Sequence, residues 1–186
     1  MYGDNIKYTY DQNENQNSAI NFDGTNFLSL NKYITDAFAG DFTVCIWVRF
    51  NYFVNEFYRV FDFGRSGQQF LLKTSRGKLQ LIKKGQSNQI FEFIEKINLN
   101  EWYHISISVE GNNLIGYLNG KEDSRTQWTD LPIKISTEGK YYVGSTQSQS
   151  KSKLYFSDFM IFDRTLNADE ILTLKNLKKY TTQLIK

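Results

Sequence analysis

The side chains of this 186-residue chain that could carry out hydrolysis are its carboxylates, and their spacing does not suit that chemistry. Glycoside hydrolysis needs two carboxyl groups flanking the scissile bond, one of them acting as an acid. Glu92 and Glu95 have the wrong spacing for such a pair and flank a Phe-rich strand, while Asp62 stands alone in an aromatic run. We therefore expect that the protein is not an enzyme.

The single histidine and the single cysteine are the other reactive groups. His104 lies inside an alternating strand, and Cys45 lies between two β-branched residues in another. Both positions favour a structural side chain over a general base or a nucleophile. One cysteine permits no internal disulfide, and one cysteine with one histidine cannot form a Cys/His zinc site.

A loop rich in aromatic residues, 51–58, is a candidate binding surface. Loops are normally polar, so an exposed apolar cluster there would mark an interaction site. Trp128 lies in a turn-rich stretch, and we expect it to be an exposed aromatic ring. An alternative remains open, in which the rings of the loop close one end of the core. The predicted ligand-binding residues are Tyr52, Phe53, Phe57, Arg65 and Trp128.

The elements that would position these residues are mostly strands. Short alternating segments recur between turn residues, and the clearest is Phe42–Phe50. Trp47 and Trp102 are expected at inward positions, bridging two sheets. Asn119-Gly120 predicts a tight hairpin, and Asn167 predicts the N-cap of a C-terminal helix. About a dozen strands with one terminal helix predict an all-β sandwich.

Several segments carry a family resemblance when taken in order. Together they resemble laminin-G-like domains of the concanavalin A-like lectin/glucanase superfamily, over roughly residues 18–179. The resemblance implies a two-sheet antiparallel jelly-roll β-sandwich with a short C-terminal helix. We expect the domain at 18–180, an N-terminal tail or linker at 1–17 and a C-terminal tail at 181–186. The segments are Ala19–Gly24, Phe42–Val48, Asn100–Ile105, Gly116–Lys121, Tyr142–Gly144 and Lys153–Ile171.

The resemblance also implies a metal site. Many members of the superfamily hold a structural Ca²⁺ ion where the first and last strands meet, and hard oxygen ligands suit that ion. The matching positions here are Asp23, in the opening motif, and Asp158, in the closing strand. The alternative is that Asp158 is paired with a cationic side chain or accepts backbone N–H groups, because an unpaired charge between apolar neighbours is costly.

Composition bears on partners and on location. A net charge of +2 gives no electrostatic footprint for nucleic acid. No apolar run approaches the roughly 18 residues that span a bilayer, so we expect no membrane insertion. The first sixteen residues lack the apolar centre of a signal peptide, and the chain contains no Asn-x-Ser/Thr sequon.

These observations predict a non-catalytic recognition or adhesion module that binds a glycan or a protein surface. We expect it to be part of a larger protein located outside the cell or at the cell surface. The alternative is a structural subunit of a virion or another large assembly, made inside the cell. The missing signal peptide, the lone cysteine and the missing sequons fit that alternative.

Overall fold

The computed structural model describes residues 5–52, 59–65, 67–85, 88–129, 135, 138–146 and 151–177, apart from the side chain of Lys32. The two helices of this part are a 3₁₀ helix, Lys32–Phe38, and α1, Ala168–Asn176. The strands, in chain order, are β1 (Lys7–Thr9), β2 (Ala19–Asp23), β3 (Leu28–Ser29), β4 (Phe42–Phe50), β5 (Arg59–Arg65), β6 (Gln68–Ser75), β7 (Lys78–Lys84), β8 (Gln89–Lys96), β9 (Trp102–Glu110), β10 (Asn113–Leu118), β11 (Lys121–Gln127), β12 (Lys140–Val143) and β13 (Lys153–Phe162).

The strands form two antiparallel sheets. One sheet has seven strands in the order β1-β2-β13-β4-β9-β10-β11, and the other has six in the order β3-β12-β5-β6-β7-β8. The last strand, β13, inserts between β2 and β4, so the two ends of the domain are hydrogen-bonded to each other. The predicted two-sheet β-sandwich with a terminal helix is confirmed.

Strict alternation of side chains directs one face of each sheet into a common core. Along β4, Val44, Ile46, Val48 and Phe50 are buried in that core, and the residues between them point to the opposite face. The core is rich in aromatic rings that bury large areas. The core is therefore a packed interior between the two sheets.

The turn and the helix cap that short sequence motifs predicted are both present in the structure. Asn119 and Gly120 both adopt positive φ, 52° and 80°, as a tight hairpin between β10 and β11 requires. At α1, Asn167 accepts a hydrogen bond from Glu170 N, and the Glu170 side chain accepts one from Asn167 N. This reciprocal capping box begins the helix at the predicted residue.

Two strands differ from the prediction. The segment predicted as an N-terminal tail contributes β1, which pairs with β2 and extends the larger sheet. The strongly charged β11, whose residues do not alternate between apolar and polar, forms the opposite edge of that sheet. The carboxylate of Asp123 on β11 accepts hydrogen bonds from Ile94 N (2.6 Å) and Glu95 N (2.9 Å) of β8. These bonds join the free edges of the two sheets.

The sequence also predicts a strand at 132–135, of which only Ile135 is among the described residues, and Ile135 is buried in the core. The predicted C-terminal tail at 181–186 also lies outside them. Neither helix of the described chain is long and apolar enough to cross a bilayer.

Candidate ligand-binding groove

The outer face of the seven-stranded sheet carries a row of three large side chains. Tyr155 of β13 lies opposite Arg49 of β4, and Arg49 lies opposite Trp102 of β9. All three are half-buried. Neighbouring strands therefore place a guanidinium group between two aromatic rings on the surface of the sheet.

Arg49 is held by the rings and by nothing else in the described chain. Its guanidinium carbon lies 4.2 Å from the centroid of the Tyr155 ring and 5.7 Å from that of Trp102. These are cation–π distances. Arg49 makes no hydrogen bond and no ion pair with any residue that the structure describes, and its Nε is buried without a partner. The two rings thus fix the position of the guanidinium group, and its N–H donors have no acceptor in the described chain.

Two adjoining hollows lie above this row. The first, of about 450 Å³, is lined by Tyr10, Asp11, Gln12, Glu14, Arg49 and Trp102. The second, of about 380 Å³, is lined by Gln12, Asn13, Trp47, Trp102, Lys175 and Asn176. They share Gln12 and Trp102, so we treat them as one feature, the outer groove. One wall is the N-terminal segment before β2, and another is the end of α1.

The N-terminal wall is fixed by a buried carboxylate. Asp11 is only 2% exposed and accepts hydrogen bonds from the backbone N–H groups of Asn13 (2.8 Å) and Asn15 (2.9 Å) and from the Asn15 amide (3.1 Å). Gln12 Nε2 donates to Asp158 Oδ2 of β13 at 2.7 Å. The Oε1 atom of Gln12 is buried and has no partner in the described chain.

The helical wall is anchored by a small apolar cluster. Ile171 of α1 and Leu166 before it pack on Cys45 and Tyr117 of the sheet. Burial raises the pKa of the Cys45 thiol to about 11, so this thiol is protonated at neutral pH. The expectation of an inert, buried cysteine agrees with this position.

His104 lies beneath the second hollow and is fully buried. Its ring centroid is 5.2 Å from that of Trp47, which lines the hollow. Burial is the largest influence on His104 and, together with the positive charge of Lys175, lowers its pKa to about 4. His104 is neutral at physiological pH, and it lies behind Trp47 rather than among the residues that line the hollow.

The groove therefore offers the components of a binding site. Trp102 supplies an apolar ring face, Arg49 supplies a guanidinium group without a hydrogen-bond partner in the described chain, and Gln12 adds a polar side chain. Among the described residues no group of three or more His, Cys, Asp or Glu side chains could hold a metal ion. The chemistry that these groups support is recognition of a polar ligand with at least one flat apolar face.

The predicted binding residues that the structure describes differ in exposure. The prediction that Trp128 is exposed is wrong: it is 3% exposed, belongs to the core, and its backbone N–H donates to Asn112 O at 2.9 Å. Tyr52 is 52% exposed, while Phe53 and Phe57 lie outside the described residues. Arg65 is exposed, but its guanidinium donates to Glu138 (3.1 Å) and Gln68 (3.2 Å).

The expected inward orientation of Trp47 and Trp102 is also wrong. Both rings lie on the outer face of the sheet, because the inward positions of β4 and β9 belong to the residues that alternate with them. The sequence contains a signal for this. Trp102 shares its strand face with His104, Ser106 and Ser108, whereas the other face of β9 is wholly apolar or aromatic.

The two aspartates predicted to bind calcium do not come together. Asp23 is opposite Lys153 in the ladder, and Asp158 is five residues further along β13, roughly 16 Å away at strand spacing. Asp23 accepts hydrogen bonds from Lys7 and from the Thr25 backbone and hydroxyl, which hold its pKa well below the usual range. The pair does not fit a shared calcium site, and the presence of calcium stays an untested prediction.

Comparison with known proteins gives a family and a fold. A laminin-G-like family model, described as the concanavalin A-like lectin/glucanases superfamily, matches residues 22–172. A search of the curated proteins finds no match.

Similar solved structures include botulinum neurotoxin type C, which depends on interaction with two ganglioside molecules to enter cells (TM-score 0.71, 16% identity, covering 92% of this chain and 44% of that one). Another is the binding domain of botulinum neurotoxin DC in complex with rat synaptotagmin II (TM-score 0.71, 19% identity, 92% and 45%). A third is the serotype G binding domain (TM-score 0.72, 16% identity, 94% and 45%). The chain spans less than half the length of these structures.

Proposed function

Because this chain belongs to the concanavalin A-like lectin/glucanases superfamily, as a laminin-G-like member, we propose that it is a non-catalytic recognition module whose outer groove binds a glycan. The module acts outside the cell or at its surface, where such ligands occur. The alternative is that the module binds a protein surface, and the experiments below distinguish the two.

One observation carries the proposal. The guanidinium group of Arg49, which forms no hydrogen bond within the described chain, lines the same hollow as Gln12 and the ring of Trp102. N–H donors beside an apolar ring face in one hollow are the components that a polar ligand with an apolar face needs. Sugars present hydroxyl groups beside apolar C–H faces, which is the complementary pattern.

The similarity to known structures supports a binding role without identifying the ligand. Cell entry of neurotoxin type C depends on two ganglioside molecules, and the DC binding domain is found in complex with rat synaptotagmin II, but at 16–19% identity these structures share only the fold with this chain. Because a fold hosts many functions, the groove itself must carry the assignment.

A glycan-array screen of the purified protein tests the proposal. We expect specific binding that Trp102→Ala reduces at least about tenfold, since stacking on the ring and burial of the sugar face are lost. Tyr33→Ala is the matched control, because Tyr33 is 71% exposed and does not line the groove. Its binding should equal that of the wild type.

A second variant locates the site. Tyr52→Ala removes the exposed ring of the loop that the sequence favoured. If Tyr52→Ala abolishes glycan binding and Trp102→Ala does not, the groove is not the site. An array without any specific signal from folded protein would contradict glycan recognition altogether and would favour a protein ligand.

A further inference from the structure

We infer that the ligand of the outer groove carries an anionic group, the carboxylate of an acidic sugar, which is received by the guanidinium group of Arg49. This inference rests on the proposed glycan-binding function and specifies the chemical class of the glycan. It follows from a difference between Arg49 and the other arginines whose ion pairs are described.

Three of those arginines are neutralised by a carboxylate of the protein. The shortest contacts are 2.6 Å from Arg125 to Glu122, 2.7 Å from Arg164 to Glu170 and 3.1 Å from Arg65 to Glu138. All three arginines are more than half exposed at the side chain, where water could also satisfy them. Pairing with a carboxylate is thus common in this molecule even where burial does not demand it.

Arg49 is more buried and yet has no such partner in the described chain. Two carboxylates, Asp11 and Glu14, line the same hollow. The Asp11 carboxylate accepts three hydrogen bonds from Asn13 and Asn15. Glu14 makes no hydrogen bond or ion pair with Arg49 and is exposed. The groove therefore keeps its acidic side chains off the guanidinium group.

The two rings orient the guanidinium without using its donors. Tyr155 and Trp102 flank Arg49 in the ladder and contact it through their π-systems. A guanidinium fixed in this way presents N–H groups that match the two oxygens of a carboxylate, and such a charge-assisted pair is stronger than a neutral hydrogen bond. Little rotamer freedom is lost on binding because the rings already restrict the side chain.

The remaining groups of the groove suit the rest of an acidic sugar. Trp102, shared by both hollows, lies next to Arg49 and can accept the apolar face of the ring whose carboxylate Arg49 holds. Lys175 lies in the second hollow and adds a positive charge beyond Trp102. A glycan that carries a carboxylate beside an apolar ring face therefore fits the order of groups along the groove.

Titration calorimetry with two probes, the trisaccharide 3′-sialyllactose and the disaccharide lactose that it contains, tests the inference. We expect the wild type to bind 3′-sialyllactose at least about tenfold more tightly than lactose, with the difference shrinking as salt rises from 50 to 500 mM. Arg49→Gln should abolish the preference. Arg49→Lys, which keeps the charge but loses the fork, should retain a smaller one.

Arg65→Gln is the matched control, because Arg65 is exposed and ion-paired away from the groove, and it should leave the preference intact. The melting temperature of each variant shows whether it is folded. Equal affinity of the wild type for both sugars, with Trp102-dependent binding, overturns the carboxylate inference and leaves glycan binding standing. A preference for sulfated lactose over both probes overturns the carboxylate and retains an anion. Failure of the wild type to bind any glycan removes both proposals.

Discussion

Two tryptophans of this sandwich, Trp102 and Trp128, have opposite environments. Trp102 comes from the most regular strand of the larger sheet, yet its ring lies on the outer face and lines a groove. Trp128 follows β11 in a turn-rich stretch, yet it is buried in the core. The face of a strand on which a ring lies, and the segments folded over that ring, determine its exposure more than the polarity of its neighbours in sequence.

Two arginines, Arg65 and Arg49, also have opposite environments. Arg65, at the end of β5, is exposed and its charge is paired with Glu138. Arg49 is half-buried, flanked by two rings and free of hydrogen bonds within the described chain. A paired arginine is complete without a ligand, whereas the unpaired one needs a ligand or water to complete it. The outer groove is therefore the stronger candidate for recognition.

The largest expected effect comes from removing the buried tryptophan. Trp128→Ala should lower the free energy of unfolding by about 3–5 kcal/mol, since it deletes a large ring from a packed core. For a domain of this size we expect the melting temperature to fall by roughly 10 °C. Urea unfolding of wild type and variant measures the loss.

The same variant also tests whether Trp128 contacts the ligand. Below its melting temperature, Trp128→Ala should bind the glycan as the wild type does, because the ring does not reach the groove. A variant with unchanged stability and lost binding would restore Trp128 as a ligand contact.

The second effect is acid destabilisation through the histidine beneath the groove. His104 has a pKa of about 4 in the folded protein, below the ordinary value of 6.5, so the unfolded chain binds the proton more tightly. The contribution of neutral His104 to the free energy of unfolding is therefore fully present above pH 6.5 and is lost as pH falls from 6.5 towards 4. The expected loss is about 3 kcal/mol between pH 7 and pH 4.

Titration of the imidazole by NMR gives the folded pKa directly, because the chain has one histidine. The variant His104→Gln isolates the contribution of His104 to the pH dependence of the unfolding free energy, since the carboxylates of the variant titrate as before. The slope of unfolding free energy against pH should flatten in the variant between pH 6.5 and 5. An imidazole that titrates near pH 6.5 in the folded protein would show that His104 is not buried as described.

The smallest expected effect comes from the exposed arginine. Arg65→Gln should change the free energy of unfolding by less than about 0.5 kcal/mol, because a surface ion pair contributes little. Its glycan affinity should match that of the wild type. A loss of binding in this variant, measured by the same calorimetry, would move the site to the Arg65 end of the molecule.

Much of the fold was accessible from the sequence because its signals are local. Alternation in β4 and β9, the Asn119-Gly120 turn and the Asn167 cap each act within a few residues. The strand β1 was missed because it is short and largely polar, and it forms by pairing with β2 rather than through its own propensity.

The groove could be predicted only in part. The polar companions of Trp102 on β9 indicate an outward face, and strict alternation places Arg49 on the outward face of β4. Their juxtaposition depends on strand register, and the wall depends on Gln12 contacting Asp158, 146 residues away. Interactions at that separation leave no pattern in one sequence, so neither the hollow nor the free donor of Arg49 was visible.

The three indole N–H signals of the protein, assigned with single Trp→Phe variants, give the most direct test of where the ligand binds. The measurement is a ¹⁵N–¹H titration of the labelled protein with the glycan that binds most strongly on the array. We expect the Trp102 signal to shift, with a smaller shift for Trp47 in the second hollow, while the Trp128 signal stays in place. A shift at Trp128 with Trp102 unchanged would contradict the assignment of the outer groove as the binding site.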